Sequence, residues 1–342
     1  MGKRVLTALS GGVDSAAAAV LLQQAGYLCD GAILRLHEDT DIAGAQAAAE
    51  KLHMGFHVFD EIEAFRRCVM EDFVRSYLAG QTPNPCIVCN RCLKFGIFLD
   101  RALALGYDYI ATGHYAKVIR STNTGLYELH RATDRAKDQT YVLYQLTQHQ
   151  LAHLLLPNGD YEKPALRMLA EEAGLANAQK KDSQDICFIP DGDYVAFLER
   201  SGAALRPGNF VDREGRVLGQ HRGLPCYTTG QGKGLGIALG KHVYVLSKNA
   251  ADNTVTLGDN EDLFSSRLTA RDVHWISGTA PTSPVPCTAK TRYSQRECEA
   301  VVTPLPQSRM TVEFAQPQRA ITAGQSVVLY DGDTVLGGGI IE

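Results

Sequence analysis

Six residues near the start of the chain, Ser10-Gly11-Gly12-Val13-Asp14-Ser15, restrict the possible folds more than any other segment. An apolar run from Arg4 to Leu9 precedes them and reads as a buried strand. The Ala- and Leu-rich stretch from Val13 to Ala25 reads as a helix. Two adjacent glycines allow a tight turn and a close backbone approach to a ligand. The following helix aims its first amides at that ligand, which suits an anion. Ser10 and Ser15 add hydroxyl donors. Asp14 would repel bare phosphate, so its expected role is to share a magnesium ion with it. The segment lacks both the Lys-Ser/Thr pair of the Walker loop and the Gly-x-Gly-x-x-Gly spacing of the dinucleotide loop. A tight strand-to-helix turn with polar caps is the plainer alternative.

The alternation continues beyond this loop. Leu28 to Leu36, Phe56 to Phe59 and Tyr109 to Ala111 read as strands. Ala43 to His53, Ala64 to Leu78 and Leu93 to Leu105 read as helices. Such alternation implies an α/β fold with a doubly wound parallel sheet, which binds ligands beyond its C-terminal strand ends. Leu34 then lies near a bound base, Gly113 at a strand end permits close approach of the nucleotide, and His114 faces a second substrate. Lys137 to Gly174 loses strand character and reads as a helical insertion, with helices at Gln139 to Leu146, Gln148 to Leu155 and Lys163 to Ala173. Glycine becomes dense after Arg206-Pro207-Gly208, and from Leu268 short strands alternate with turns. Val327 to Tyr330 and Thr334 to Leu336 flank Asp331-Gly332-Asp333, a strong hairpin signal. The expected organisation is a catalytic domain at 1–205 with a helical insertion at about 137–180, a small central β module at 206–264 and a C-terminal β-barrel at 265–342.

The formal net charge is −4, so any nucleic-acid footprint must be local. No run of 18 apolar residues and no signal-like N-terminus occurs, so the expectation is a cytosolic protein without a membrane partner. The nine cysteines are an odd number, which in a reducing compartment argues against a disulfide framework. Cys86, Cys89 and Cys92 cluster within seven residues. Asn84 can cap a helix with Pro85 at its first position, which sets Cys86 and Cys89 one turn apart on one face. A thiol near a helix N-terminus is expected to have a lowered pKa and nucleophilic character. Cys187 follows the polar run Lys180-Lys181-Asp182-Ser183-Gln184-Asp185 and does not look like a core cysteine.

The phosphate loop matches the SGGxDS motif of the N-type ATP pyrophosphatases, of adenine nucleotide alpha-hydrolase-like fold. Asn84 to Phe95, Ala111 to Ala116, Lys137 to Leu146, Lys180 to Pro190, Gly230 to Ile237 and Ala323 to Gly339 follow in order. Together they resemble the bacterial tRNA-specific 2-thiouridylase family, which makes 2-thiouridine at the wobble position of the anticodon. The resemblance implies ATP, split to AMP and pyrophosphate, as the activator of uridine O2, with Mg2+ beside it. It implies an ATP site at Ala8, Leu9, Ser10, Gly11, Gly12, Val13, Asp14, Ser15, Leu34 and Gly113. Cys89 matches the nucleophile and Cys187 the persulfide carrier, and the two would join in a transient disulfide. Asn84, Pro85 and Cys86 match the segment on the target base. His114, Lys137, Asp138, Gln139, Arg292, Tyr293 and Gln325 match contacts to the tRNA anticodon stem-loop. A sulfur-carrier or persulfide-donor protein is the implied partner.

Many family members have aspartate at the position of Cys86, and Cys92 is an additional thiol. Two readings follow. In one, Cys86 is a bystander and the persulfide route stands. In the other, Cys86, Cys89 and Cys187 hold a [4Fe-4S] cluster whose open iron carries hydrosulfide. Structural zinc is a third reading, but the second ligand pair is missing. Leu34-Arg35-Leu36-His37 and Gly230-Gln231-Gly232-Lys233 also depart from the family pattern. Lys137, Lys163, Arg167, Lys180, Lys181, Lys233, Lys290, Arg292 and Arg296 are the candidate phosphate contacts. Tyr141 and Tyr144 suit either base stacking or a core. An amidotransferase-linked synthetase and a non-catalytic RNA- or metal-binding protein are the competing functions.

Overall fold

Val5, Leu6 and Thr7 are fully buried, and the strand they form is the middle of a five-stranded parallel sheet. The computed structural model describes residues 2–175 and 186–342. The chain begins with β1 (Arg4–Ala8), α1 (Val13–Gln24), β2 (Leu28–Arg35), α2 (Ile42–Lys51) and β3 (Phe56–Asp60). Next come α3 (Ile62–Phe65), α4 (Glu71–Leu78), α5 (Pro85–Cys89), α6 (Phe98–Ala104) and β4 (Tyr109–Ala111). The sheet order is β3-β2-β1-β4, so connections from β1 run to opposite sides. Ala16, Ala17, Ala18 and Ala19 are all buried, and these small side chains let α1 lie close on its neighbours.

Two helices expected as single runs are interrupted by wider turns. A π-helical segment at Arg66–Met70 joins α3 to α4. A second, at Asn90–Ile97, joins α5 to α6. Such segments are rare and occur mostly at functional sites.

Beyond β4 the chain departs from expectation. β5 (Ala116–Arg120) and β6 (Tyr127–Arg131) form a hairpin that leaves the parallel sheet and extends the C-terminal one. Gln139 to Leu146 is not a helix: only Thr140–Val142 makes a 3-10 turn, and Tyr141 and Tyr144 are buried beneath the barrel. Their hydroxyls bond the backbone carbonyl and the hydroxyl of Ser326, at 2.7 Å and 3.1 Å. The two tyrosines belong to the core and are not available for stacking. α7 (Gln148–Ala152) is followed by β7 (Leu154–Leu155), which adds a parallel strand beside β4. The stretch expected as an all-helical insertion thus supplies an edge of the catalytic sheet. α8 (Lys163–Glu172) packs on α1, and α9 (Tyr194–Arg200) comes after the cysteine at 187.

β8 (Gly208–Val211), β9 (Val217–His221), β10 (Tyr244–Asn249) and β11 (Thr254–Gly258) form a four-stranded sheet in the order β10-β11-β8-β9. β12 (Phe264–Trp275), β13 (Val285–Lys290), β14 (Cys298–Leu305), β15 (Arg309–Arg319), β16 (Ser326–Asp331) and β17 (Thr334–Ile341) complete the chain. Pairing of β12 with β17 closes these six strands into a barrel. Closure needs Gly337, where a Cβ would stand 2.1 Å from the carbonyl oxygen of His274. The last hairpin pairs Asp331 with Thr334 around a two-residue turn, as its Asp-Gly signal predicts.

Candidate active site

The loop from Ser10 to Gly12 leaves the C-terminal end of β1, where the strand order reverses between β2 and β4. Open α/β sheets bind ligands at that switch point. Gly11 has φ +69°, and a Cβ there would stand 2.9 Å from the carboxylate of Asp41. Ser15 Oγ donates to the carbonyl of Gly12 at 3.0 Å and accepts from the Ser10 amide at 3.1 Å. The two serine hydroxyls lie 3.2 Å apart. Gly12 caps α1 without a side-chain hydrogen bond, and Asp14 stands in the first turn at the helix's positive end. Leu9 and Val13 are buried, and Ala8 is half-buried. Leu34 is buried at the end of β2 within the main core.

Asp14 differs from its expected role. Lys163, on α8, places its ammonium 2.6 Å and 2.8 Å from the two carboxylate oxygens. Tyr115 donates its hydroxyl to the nearer oxygen at 2.6 Å. Asp14 therefore offers no unshared oxygen for magnesium, and the donor set as arranged does not fit that ion. The Lys163 side chain is 8% exposed, so it is a buried counter-charge and not a surface contact for RNA. Asn158 locks the same place, donating to the carbonyls of Asp14 and Gly113 at 2.9 Å and 3.1 Å. A Cβ on Gly113 would stand 2.6 Å from the carbonyl carbon of Asp14. This glycine is required by the loop's own backbone. The sequence offers Lys163 only as a candidate RNA phosphate contact and assigns no loop-holding role to Tyr115 or Asn158, because each reaches the loop from more than 100 residues away.

The thiols gather on the other side of the strand ends. Asn84 accepts from the Cys86 amide at 3.1 Å and Pro85 opens α5, as its sequence predicts. Cys86 is exposed, Cys89 buried and Cys187 exposed. Phe188 carries Cys187 to this site: its ring packs edge-on against Phe65 at 5.6 Å and Phe73 at 5.4 Å. The same Phe188 packs against the cluster that buries Cys89 with Phe65, Val69 and Leu93. Cys187, Cys86 and Cys92 all act electrostatically on the Cys89 thiol. The two thiols singled out from distant parts of the sequence thus share one site.

A lowered pKa at Cys89 is overturned. Burial pushes its thiol up to about 12, opposed by the charge of Lys94 and reinforced by the neighbouring sulfurs. Cys89 ends a five-residue helix that runs on into the π-helical segment, so it is far from a free helix N-terminus and inside protein. Surrounding protein raises Cys187 too, against Lys94. His114 has its Nδ1 2.7 Å from the Thr112 hydroxyl and its ring 5.6 Å from Phe95. Burial, aided by Lys94, holds this imidazole well below its usual range, so it is neutral. Among the described residues no group of three or more His, Cys, Asp or Glu side chains is arranged to hold a metal ion. Cys86, Cys89 and Cys187 as they stand do not fit a cluster.

The residues matched to tRNA contacts fall along the seam between the α/β domain and the barrel. Tyr293 donates to the carbonyl of Asp138 at 3.2 Å, and its ring meets Tyr141 at 6.0 Å. The Asp138 and Cys86 groups both act on the Tyr293 hydroxyl, which places the barrel lip beside Cys86. Lys137 precedes Asp138, and the Gln139 side chain accepts from the Tyr115 amide at 2.9 Å. Arg292 is committed inward: one guanidinium nitrogen donates to the Thr229 and Ala320 carbonyls and the Thr322 hydroxyl, at 3.0, 2.9 and 2.6 Å. Gln325 donates to the Thr82 carbonyl at 2.9 Å and so ties the barrel to the loop before Cys86. Lys180 and Lys181 lie outside the described residues.

Three family models match the chain. The tRNA methyl transferase HUP domain spans residues 3–191, the tRNA methyl transferase PRC-barrel domain 195–259 and the aminomethyltransferase β-barrel domain 265–341. The tRNA-specific 2-thiouridylase MnmA of Clostridioides difficile (strain 630) is 46% identical over 100% of this chain and 99% of its own. The protein of the same name from Acetivibrio thermocellus is also 46% identical, over 99% of each chain. An NMN synthetase structure from Francisella tularensis covers 53% of this chain and 66% of its own at 17% identity, with a TM-score of 0.35.

Proposed function

The chain belongs to the tRNA-specific 2-thiouridylase family, and from that premise we propose how its residues perform tRNA thiolation. It is a tRNA sulfurtransferase that uses ATP. The meeting of Cys89 and Cys187 in one site carries the reading of the chemistry. The path between the two halves is short in residues: Gly113 backs the loop, His114 follows it, and Phe95 and Lys94 stand between His114 and the thiols.

Uracil O2 is a poor leaving group. In the proposed first step O2 attacks the α-phosphorus of ATP and pyrophosphate departs, leaving an adenylylated base. The α1 amides and the serines of the loop bind the phosphates. Magnesium would reach those phosphates, but no step is assigned to Asp14 as its ligand, since Lys163 and Tyr115 hold its oxygens. In the second step the terminal sulfur of a Cys187 persulfide bonds C2, and AMP leaves with the C2–O2 electron pair. Cys89, its proton given up to water, then bonds the Cys187 sulfur. The S–S bond breaks, and its electron pair passes to the sulfur now on C2. Two thiols are oxidised to one disulfide, and the transferred sulfur is reduced to the thiocarbonyl. A cytosolic thiol pool resets the disulfide, and a persulfide-donor protein reloads Cys187.

Asn84, Pro85 and Cys86 are assigned to the target base, which must leave its stack to reach them. Lys137, Asp138, Gln139, Tyr293 and Gln325 are assigned to the anticodon stem-loop along the seam. No helix among the described residues is long and apolar enough to cross a membrane. The test is 2-thiouridine formation on an anticodon stem-loop RNA. Cys89→Ala and Cys187→Ala should each abolish it while ATP binding persists. Normal turnover in either variant, or product formation that tracks ammonia in place of the persulfide donor, refutes the assignment.

A further inference from the structure

Lys94 is a half-buried cation without a hydrogen-bond or ion-pair partner among the described residues. A half-buried ammonium with no protein partner is available to an anion that enters the site. Its position depends on the π-helical segment Asn90–Ile97, which begins directly after Cys89. In an α-helix the fifth residue on stands about 140° round the axis from the first. With i→i+5 bonding the turn is wider, and the fifth residue comes much closer to the side of the first. Gly96 approaches the carbonyl of Arg91 so tightly that a Cβ on the glycine would stand 3.0 Å from that oxygen, and this marks the same five-residue spacing. Lys94 is thereby turned to the side of Cys89. The next residue, Phe95, meets the His114 ring at 5.6 Å, so the segment is wedged between the thiols and the strand end. Lys94 is the cation acting on Cys89, on Cys187 and on His114. Of the other groups around Cys89, Cys86, Cys92 and Cys187 are thiols, as is Cys68 on the neighbouring π-helical segment. Arg66 on that segment is committed to Glu63 and Glu71.

We propose that Lys94 is the electrostatic catalyst of the sulfur-transfer half-reaction, its ammonium facing the sulfur that passes from Cys187 to the substrate. This rests on the reading of Cys89 and Cys187 as the transfer pair. Negative charge resides on sulfur when the persulfide attacks C2, when Cys89 attacks Cys187, and when the S–S pair collapses onto the departing sulfur. An ammonium on this side of the segment, in a partly enclosed site, stabilises all three. The adenylylation half-reaction develops its charge on phosphate oxygens at the loop and does not use Lys94.

The two halves can be read separately on the full chain with ATP, an anticodon stem-loop RNA and glutathione persulfide as the sulfane-sulfur source. Single-turnover experiments would measure pyrophosphate release and 2-thiouridine formation. Lys94→Met should leave pyrophosphate release within about twofold and the KM values for ATP and RNA unchanged. Thiouridine formation should fall about 100- to 1000-fold. Lys94→Arg, which keeps the charge, should recover most of that loss. Lys94→Gln provides a second neutral variant should the methionine protein prove unstable. Thiolation at the normal rate in both neutral variants overturns the proposal. So does an equal loss of both half-reactions, or no recovery with arginine, since either indicates a packing role. If Cys89→Ala still thiolates, the transfer-pair reading fails, and the proposal fails with it whatever the Lys94 variants do.

Discussion

The ammonium of Lys163 stands 2.6 Å and 2.8 Å from the two carboxylate oxygens of Asp14 and pins the phosphate loop from 149 residues downstream. The pair is held on one side by the Tyr115 hydroxyl and is mostly enclosed. Removing one member of a buried pair strands the other charge, which costs about 3–5 kcal/mol when both are fully dry. Asp14 keeps 33% of its side chain exposed, so the cost here is on the order of 2 kcal/mol. Lys163→Met should therefore lower stability in urea by that order and weaken ATP binding. The double variant with Asp14→Asn should recover part of the stability, since no charge is left alone. Additive losses would show that the two residues act independently.

Gly113→Ala tests the packing of strand end on loop. The added methyl would lie 2.6 Å from the Asp14 carbonyl carbon and 2.7 Å from the Ser15 amide. Both contacts are backbone, so the loop itself must move. A folded protein with at least tenfold weaker ATP binding by calorimetry is the expected outcome. Unchanged affinity would mean that the loop carries no ligand.

The Cys89 thiol has a clear pH signature. With its pKa pushed up to about 12, roughly one molecule in 10⁴ carries the thiolate at pH 8. Lowering the pH depletes it further, and raising the pH supplies it. Alkylation of Cys89 by iodoacetamide should thus rise about tenfold per pH unit from pH 7 to 10, with no plateau in that range. Peptide mass spectrometry resolves it from the other eight cysteines. A plateau near pH 7 would show a thiolate stabilised by an arrangement other than the one described.

Much of this is legible in the residues. The parallel sheet follows from apolar runs alternating with amphipathic stretches, and the loop at its switch point from Ser10 to Ser15. The closing hairpin follows from Asp331-Gly332, and the juxtaposition of Cys89 with Cys187 from the family resemblance. What stays hidden depends on wider contacts. Residues 116–131 pair with the barrel through Thr334 and His130, a choice made by sheet edges distant in sequence. Leu154 and Leu155 join the parallel sheet with only two residues, too few to give a strand signal. The π-helical register that turns Lys94 toward Cys89 leaves no periodicity of its own in the sequence. Thiolate character cannot be judged from helix position, which is local, whereas the burial that dominates Cys89 comes from α3, the π-helical segments and Phe188.

The iron question has a direct assay. Cys86, Cys89 and Cys187 as they stand do not fit a cluster. Anaerobically purified protein should be colourless, contain no stoichiometric iron or labile sulfide, and still thiolate. Cys86→Ala should leave the absorbance and the iron content unchanged. Stoichiometric iron lost together with activity in Cys86→Ala would reverse this reading and require the three thiols to draw together.

The contact of barrel with cysteine loop is the remaining element on which substrate placement depends. Gly324 has φ +90°, and a Cβ there would press to 2.7 Å from the Gln81 Cβ and 2.8 Å from the Thr82 amide. The neighbouring bonds are mutual: the Thr82 amide donates to the Ala323 carbonyl and Gln325 donates to the Thr82 carbonyl, each at 2.9 Å. Gly324→Ala combines a left-handed backbone penalty of about 1–2 kcal/mol with a clash against this seam. A Cβ on Gly324 would meet Gln81 and Thr82, and not the barrel core of Leu268, Val302, Val312 and Val327, so the barrel should stay folded. RNA spanning the seam should therefore bind at least tenfold more weakly, while ATP binding at the distant loop is unchanged. Gln325→Ala, which removes one bond without a clash, should give a smaller loss in the same direction. Filter binding of a labelled anticodon stem-loop checks both. Equal affinity in the two variants and the parent would place the RNA elsewhere on the molecule.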